Sequence, residues 1–299
     1  MNAPLLDCLV IGGGPAGLVA SVYLARYRRT LRLVDAGESR LQWIPKTRNV
    51  LGFPDGITGT ALLERLREHA HRYGVEPLQA RVTSLRRDAQ GVFEAEAGGQ
   101  RLRARTVILC TGARDVAPEI EGLDEGLHAG RIRYCPICDG FETQHQNVAV
   151  LGREGHGLRE ALFVKGFGNE VTWLSMGTEW TMPPAELRQL QEAGVKVLDA
   201  APRDIRCTSA QGVRVVLDDG TEAGFDTLYP ALGLVHVSDL GADLGARVAS
   251  NGQLEVDDHL QTSVPGLYVA GDVAHSLNQI NVAAGQAAIA ATAVHNTLA

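Results

Sequence analysis

The chain has 299 residues, 45% apolar and 21% charged, with a formal net charge of −7. These are values of a globular protein, which excludes disorder, collagen and coiled coil, and an acidic balance without a basic block argues against nucleic acid or membrane as partner. Glycine is over-used, 34 residues or about 11% against an average near 7%, which predicts many tight turns and close backbone approaches. The length predicts two domains, or one with a large insertion. Five cysteines, an odd number, argue against a secreted disulfide framework, and residues 1–7 carry only Asp7 where a leader needs positive charge; a cytoplasmic chain is expected.

In chain order, residues 5–11 form a short apolar run ending in glycines, as expected of a strand buried on both faces of a parallel sheet. A helix pattern follows from Pro15 through Leu18, Val19 and Val22 to Arg26, and residues 31–34 form a second strand ending in Asp35, completing a βαβ unit. After a Pro/Gly-rich loop, Leu62, Leu63, Leu66 and His69 fall at helical spacing. Short strands across residues 82–102 lead to the apolar run 106–110, closed by Thr111-Gly112-Ala113. Residues 147–152 then repeat the opening strand and glycine turn, with Ala161, Leu162 and Val164 as its helix and residues 171–174 as the next strand. Residues 266–272 form a late buried strand ending in Gly271-Asp272, and an alanine-rich helix runs from about Val282 to Leu298.

Two such units predict an α/β chain of two Rossmann-like domains.

Gly12-Gly13-Gly14-Pro15-Ala16-Gly17 fits G-x-G-x-x-G between a strand and a helix, and Asp35 follows about 20 residues on. Gly12 allows the tight turn, Gly14 the approach of a pyrophosphate, and Gly17 close packing of helix on strand; Asp35 is placed for a ribose. Flavoproteins that hold FAD combine this fingerprint with a Thr-Gly-Ala strand end and a late strand ending in Gly-Asp, here Thr111-Gly112-Ala113 and Gly271-Asp272. FAD is the expected cofactor.

Cys135-Pro136-Ile137-Cys138 lacks the second ligand pair of a structural zinc site. A redox dithiol, a half-occupied metal site and an inert pair are the readings open at this point; a flavin on the same chain favours the first. A helix N-terminus with Arg131 and Arg133 nearby would favour thiolate, and Asp139 is suited to move a proton. The nine histidines show no metal-ligand spacing, so no metal is expected.

Residues 12–17, residues 49–59 (Asn-Val-Leu-Gly-Phe-Pro-Asp-Gly-Ile-Thr-Gly), Thr111-Gly112-Ala113, residues 135–140 and Gly271-Asp272 with Gln279 resemble the low-molecular-weight thioredoxin reductases almost end to end. That resemblance implies that Cys138 engages the flavin, Cys135 attacks the partner disulfide and Asp139 is the general acid/base. It also implies FAD contacts at Gly12, Gly14, Pro15, Ala16, Asp35, Gln42, Asn49, Val82, Thr111, Gly112, Ala113, Gly271, Asp272, Gln279 and Ile280. It implies as well that the second Rossmann-like domain is inserted into the first, with expected boundaries 1–117 and 247–299 for the FAD-binding domain and 118–246 for the insert. Thioredoxin, or a similar disulfide protein, would be the partner, and the chain a homodimer.

The resemblance breaks at the second glycine turn, Gly152-Arg153-Glu154-Gly155-His156-Gly157. Glu154 stands where the family has glycine, and two like charges about 4 Å apart cost on the order of 4 kcal/mol at an effective dielectric near 20. After the next strand the chain reads Ser175-Met176-Gly177-Thr178-Glu179-Trp180, without the family's arginines for a 2′-phosphate, each worth roughly 1.5 to 3 kcal/mol. NADPH is therefore an unexpected donor, and ferredoxin or another donor is expected. The rival account has Arg153 or Arg159 neutralise the pyrophosphate of NADH. A dithiol oxidase passing electrons to oxygen is the alternative enzyme, although such enzymes carry histidine where this chain has Asp139; a flavin-bearing redox sensor is the non-enzymatic one.

Of the remaining residues, Cys8 and Cys110 are expected as buried packing, Cys207 at a strand edge, and His156 in a solvated loop. Sequence order places His275, just after Gly271-Asp272, near the expected flavin, and Trp43 and Tyr134 are expected beside the flavin, the dithiol or the core.

Overall fold

The computed structural model describes residues 4–119, 121–153, 155–176, 183–198, 200–208 and 212–299. The elements begin with β1 (Leu5–Ile11), α1 (Pro15–Arg26), β2 (Leu31–Asp35), α2 (Gly59–His71), β3 (Leu78–Gln79), β4 (Val82–Arg87), β5 (Phe93–Ala97), β6 (Gln100–Leu109) and β7 (Ala113–Asp115). They continue with α3 (Leu123–His128), α4 (Pro136–Asp139), β8 (Asn147–Gly152), α5 (His156–Lys165), β9 (Glu170–Leu174), α6 (Pro184–Glu192), β10 (Lys196–Leu198), β11 (Pro202–Thr208), β12 (Gly212–Leu217), β13 (Glu222–Phe225), β14 (Thr227–Ala231) and β15 (Leu234–His236). The chain ends with α7 (Asp239–Asp243), β16 (Leu267–Val269) and α8 (Ile280–Thr297).

Contacts divide the chain into two units. Unit 1 comprises Met1–Gln42, Gly59–Arg114 and Val235–Ala299; unit 2 comprises Trp43–Thr58 and Asp115–Leu234. The crossings thus fall at Arg114 and Val235, where sequence order suggested Ala117 and Ala246, and the loop bearing Asn49 groups with unit 2. That loop is closed on itself by paired backbone bonds between Thr47 and Ile57.

In unit 1, β3, β2, β1 and β6 lie side by side and parallel, and β6 carries two partners on its far edge. Its first half pairs antiparallel with β5, and its last residues pair parallel with β16. This works because β6 is long enough to serve a hairpin and a crossover strand in succession. Leu9 and Ile11 face a core with Phe93, Val107, Leu109 and Leu267, while the intervening Cys8 and Val10 are equally buried; the strand is covered on both faces, as its unbroken apolar run requires. On α8 the buried residues Ala283, Ala287, Ala290, Ala291 and Val294 form one stripe. The small side chains let α8 pack against α1.

Unit 2 has a parallel sheet in the order β10-β9-β8-β14 and a three-stranded antiparallel sheet, β11-β12-β13. Ala149 and Leu151 face one core with Ile205, Val213 and Val215. Val148 and Val150 face the other, with α5 residues Leu158, Ala161 and Val164 and with Trp173 and Tyr229. Pro230 is tolerated in β14 because that strand is at the sheet edge.

Candidate active site

The first glycine turn shows which glycines the protein itself demands. Gly12 has φ +111°, and a Cβ there would lie 2.2 Å from Cys110 O. At Gly17 it would lie 1.8 Å from Gly12 O, and at Gly13 2.2 Å from Asp35 Cγ. Gly14, the N-cap of α1, has extended backbone, and a Cβ there would meet only Ser39 Oγ at 3.5 Å. The missing side chain at 14 therefore relieves no internal contact; it leaves open the approach to the first N–H groups of α1. A phosphate is the group such an opening suits.

Three element ends meet beside this turn. Gly271 follows β16 with φ +83°, and a Cβ there would lie 3.1 Å from Ala16 Cβ on α1 and 3.7 Å from Ala283 Cβ on α8. Its N–H is held by Gln286 Oε1 at 2.9 Å. The strand end thus sits between the first turns of two helices, α1 and α8, whose N-termini are capped by Gly14 and Gln279 without side-chain cap bonds. Two positive dipole ends at one place favour an anionic ligand.

The carboxylates have partners that sequence order did not reveal. Asp35 is 3% exposed; its Oδ1 accepts the Gly37 N–H at 2.9 Å, and Arg67 on α2 holds Oδ2 at 3.3 Å. Asp272 Oδ2 accepts from Arg40 Nη1 at 2.8 Å. The Asp272 backbone carbonyl accepts from His236 Nδ1 at 2.7 Å and from the buried amide of Gln253 at 3.2 Å. Thr111 Oγ1 donates to Val237 O at 2.5 Å, and Val237 N–H donates to Gly112 O at 3.0 Å, fixing the Thr-Gly-Ala loop before β7. Val82 and Ala113 are buried, and Ile280 opens α8.

Unit 1 contains Gly12, Gly14, Pro15, Ala16, Asp35, Gln42, Val82, Thr111, Gly112, Ala113, Gly271, Asp272, Gln279 and Ile280. Gln42 is exposed and donates to Gly37 O at 2.8 Å. Asn49 lies in unit 2, exposed, where its Oδ1 accepts from Thr47 Oγ1 at 2.9 Å. An open turn, two helix N-termini and buried or salt-bridged carboxylates suited to hydroxyls fit a dinucleotide such as FAD.

The second centre is in unit 2. Cys135 and Cys138 are joined by a disulfide, with Cα atoms 5.3 Å apart. Cys135 is the N-cap of α4, a single turn, too short for the dipole support expected from sequence. Nor is Arg133 free for a sulfur: its Nη1 lies 3.2 Å from Asp139 Oδ2, and its Nε donates to Gly130 O at 3.0 Å. Asp139 is 7% exposed. Burial pushes its carboxyl above the usual range, opposed by Arg133 and by a hydrogen bond from Tyr229. The hydroxyl of Tyr229 donates to Asp139 Oδ1 at 2.7 Å. The sequence gives this tyrosine no motif; its one signal is a phenol in an otherwise largely apolar strand.

At the second glycine turn, Gly152 and Gly157 face each other closely, with Trp173 Nε1 2.9 Å from a Cβ built at 152. The N–H of Gly155, the N-cap of α5, is held at 3.1 Å by Glu186 Oε2 from α6. His156 is not in a loop; it opens α5, with Nε2 2.9 Å from Glu160 Oε1. Glu154 and Gly177, Thr178, Glu179 and Trp180 lie outside the described residues. Cys8 and Cys110 are buried, and Cys207 lies on the edge strand β11. His275 is exposed. Among the described residues no cluster of metal-ligating side chains occurs.

These features define a class of protein: a Rossmann unit with the open glycine turn of a dinucleotide site, carrying an inserted unit with a Cys-x-x-Cys disulfide. Residues 6–287 match the pyridine nucleotide-disulphide oxidoreductase family. A thioredoxin reductase of Aquifex aeolicus (strain VF5) is 29% identical, over 98% of this chain and 93% of that one. Among solved structures, thioredoxin reductase from Streptococcus pyogenes MGAS5005 has a TM-score of 0.91 at 25% identity, covering 99% of both chains. The atypical thioredoxin reductase TRi from Desulfovibrio vulgaris Hildenborough is 30% identical over 99% of this chain and 97% of that one, with a TM-score of 0.54. The chain belongs to the pyridine nucleotide-disulphide oxidoreductase family and is a flavin-dependent disulfide oxidoreductase of the thioredoxin-reductase type.

Proposed function

We propose that unit 1 binds FAD and that the Cys135/Cys138 pair passes electrons to a disulfide on thioredoxin or a similar protein, with a donor other than NADPH. The observation that carries this reading is the Cys135–Cys138 disulfide with the buried Asp139 beside it. In the reduced chain, the Cys135 thiolate attacks a partner disulfide, forming a mixed disulfide while the electron pair of the broken bond leaves on the partner's other sulfur. Cys138 then attacks Cys135, so the chain disulfide re-forms and the partner departs as a dithiol, two electrons and two protons richer. Asp139 exchanges protons with the cysteine sulfurs. When bound, FAD supplies the two-electron chemistry that returns the disulfide to a dithiol.

The donor reading is supported at α5. Glu186 already places a carboxylate on the helix N-terminus, where a nicotinamide dinucleotide needs room for its own anion, and the sequence adds Glu154 to the same turn. Ferredoxin or another protein donor fits better. A cytoplasmic homodimer is part of the proposal; among the described residues no helix is long and apolar enough to cross a membrane.

The test is an anaerobic titration of the FAD-loaded protein. Stoichiometric NADPH leaves the flavin band unchanged, whereas protein reduced chemically is reoxidised by thioredoxin disulfide, and Cys135→Ser abolishes that reoxidation. Rapid bleaching by NADPH overturns the donor reading; reoxidation by thioredoxin in Cys135→Ser overturns the dithiol route.

A further inference from the structure

The dithiol segment is tied to the edge of the unit 2 sheet. Leu228 N–H donates to Arg131 O at 2.9 Å, Arg133 N–H donates to Leu228 O at 3.0 Å, and Ile132 bridges Leu228 in parallel. This register puts Arg133 on the approach to Cys135 and leaves the next residue of β14, Tyr229, on the α5 side of the sheet. Tyr229 is fully buried.

The two side chains grip one carboxylate from separate elements: Tyr229 holds Asp139 Oδ1 at 2.7 Å, and Arg133 faces Oδ2 at 3.2 Å. Further buried polar groups lie nearby. The Thr143 hydroxyl donates to Gly140 O at 2.9 Å. Asn169 Nδ2 reaches Thr143 Oγ1 at 3.5 Å and donates to Val164 O at 3.0 Å, and Asn169 Oδ1 accepts the Gln146 N–H at 3.1 Å. Thr143 and Asn169 are themselves buried. The neighbours of Tyr229 on its face are apolar residues of α5, β8 and β9, against which a phenyl ring packs as well as a phenol. The hydroxyl is what distinguishes this residue, and its hydrogen bond goes to Asp139, the acid directly after Cys138.

We infer that Tyr229 is a positioning residue for the dithiol, whose hydroxyl, with Arg133 on the other oxygen, orients the Asp139 carboxyl and stabilises the carboxylate left when Asp139 gives its proton to a departing cysteine sulfur. The inference rests on the proposed role of Asp139. When an external thiolate attacks the Cys135–Cys138 disulfide, a new S–S bond forms at one cysteine. The old bond breaks, its electron pair leaves on the other sulfur, and that sulfur takes the proton of Asp139. The second thiol of a dithiol reagent then resolves the mixed disulfide, so the reagent is oxidised by two electrons and the cysteine pair is reduced by two.

The groups acting on Asp139 are Arg133 from the segment before α4, Tyr229 from β14 and Glu142 from the turn after α4; Arg133 and Tyr229 pull its carboxyl down and Glu142 pushes it up, with burial the largest influence. Removing the phenol hydroxyl deletes one downward influence, so the protonated, donating form of Asp139 persists to higher pH.

The experiment measures reduction of the disulfide by dithiothreitol as a function of pH, by rapid quench and alkylation mass shift, in the FAD-loaded parent, Tyr229→Phe and Asp139→Asn. Asp139→Asn loses the carboxyl inflection and slows the reaction. Tyr229→Phe keeps the inflection but moves it up by about one pH unit, with an unchanged circular dichroism spectrum. Biosynthetic 3-fluorotyrosine, a stronger donor, moves the inflection down, and this shift disappears in Tyr229→Phe. A parent-like inflection in Tyr229→Phe, with Asp139→Asn altered, overturns the role of Tyr229. An unaltered Asp139→Asn profile overturns the reading of Asp139 and this inference with it.

Discussion

Gly14 and Gly17 stand three positions apart in one motif, yet alanine at each should fail for a different reason. In Gly17→Ala the new methyl would lie 1.8 Å from Gly12 O, where ordinary contact begins at 3.4 Å. Helix α1 and the turn must separate by about 1.6 Å, and overpacking of this kind costs about 3 kcal/mol, the upper part of its usual range. Set against a total stability of roughly 5–15 kcal/mol, that lowers the melting temperature by about 6–12 °C. In Gly14→Ala the methyl meets only Ser39 Oγ at 3.5 Å, and its backbone angles, φ −80° and ψ −170°, suit alanine. The fold should change by no more than about 0.5 kcal/mol. The methyl instead fills the approach to the α1 N–H groups, and losing one charge-assisted bond to a phosphate weakens FAD binding about ten- to a hundred-fold. Titrating apoprotein with FAD by fluorescence quenching, and melting the same samples by circular dichroism, separates the two effects. Parent-like FAD affinity in a folded Gly14→Ala protein, or a parent-like melt in Gly17→Ala, refutes the reasoning.

Burial pushes the Cys8 thiol up to about 12 and drives Cys110 above the usual thiol range. Native alkylation at mildly alkaline pH should therefore spare both, with mild reduction adding label at Cys135 and Cys138; peptide mass spectrometry showing native modification of Cys8 would contradict this. Glu186→Gln exchanges a charge-assisted bond at the Gly155 N–H for a neutral one and should cost roughly 1 kcal/mol, a drop of about 2–4 °C in melting temperature. An unchanged melt would mean that the carboxylate does not support α5.

What lay within a few residues was legible from sequence. The glycine turn, its flanking strand and helix, and the disulfide across Cys135 and Cys138 are set by backbone requirements that neighbouring positions satisfy or violate: a positive φ at Gly12, a helix crossing at Gly17, two sulfurs within one turn. The sequence placed a helix N-terminus with Arg131 and Arg133 beside the dithiol; it could not show that α4 is one turn long or that Arg133 is turned to Asp139. Tertiary structure alone decided the long-range partners, among them Tyr229 on Asp139, Arg67 on Asp35, Arg40 on Asp272 and Glu186 on Gly155. The reason is physical: a buried or partly buried polar group must find a partner, but linear order does not say which one, and here the choice follows from how strands align, as when pairing of residues 131–133 with Leu228 carries Arg133 and Tyr229 to the same carboxylate.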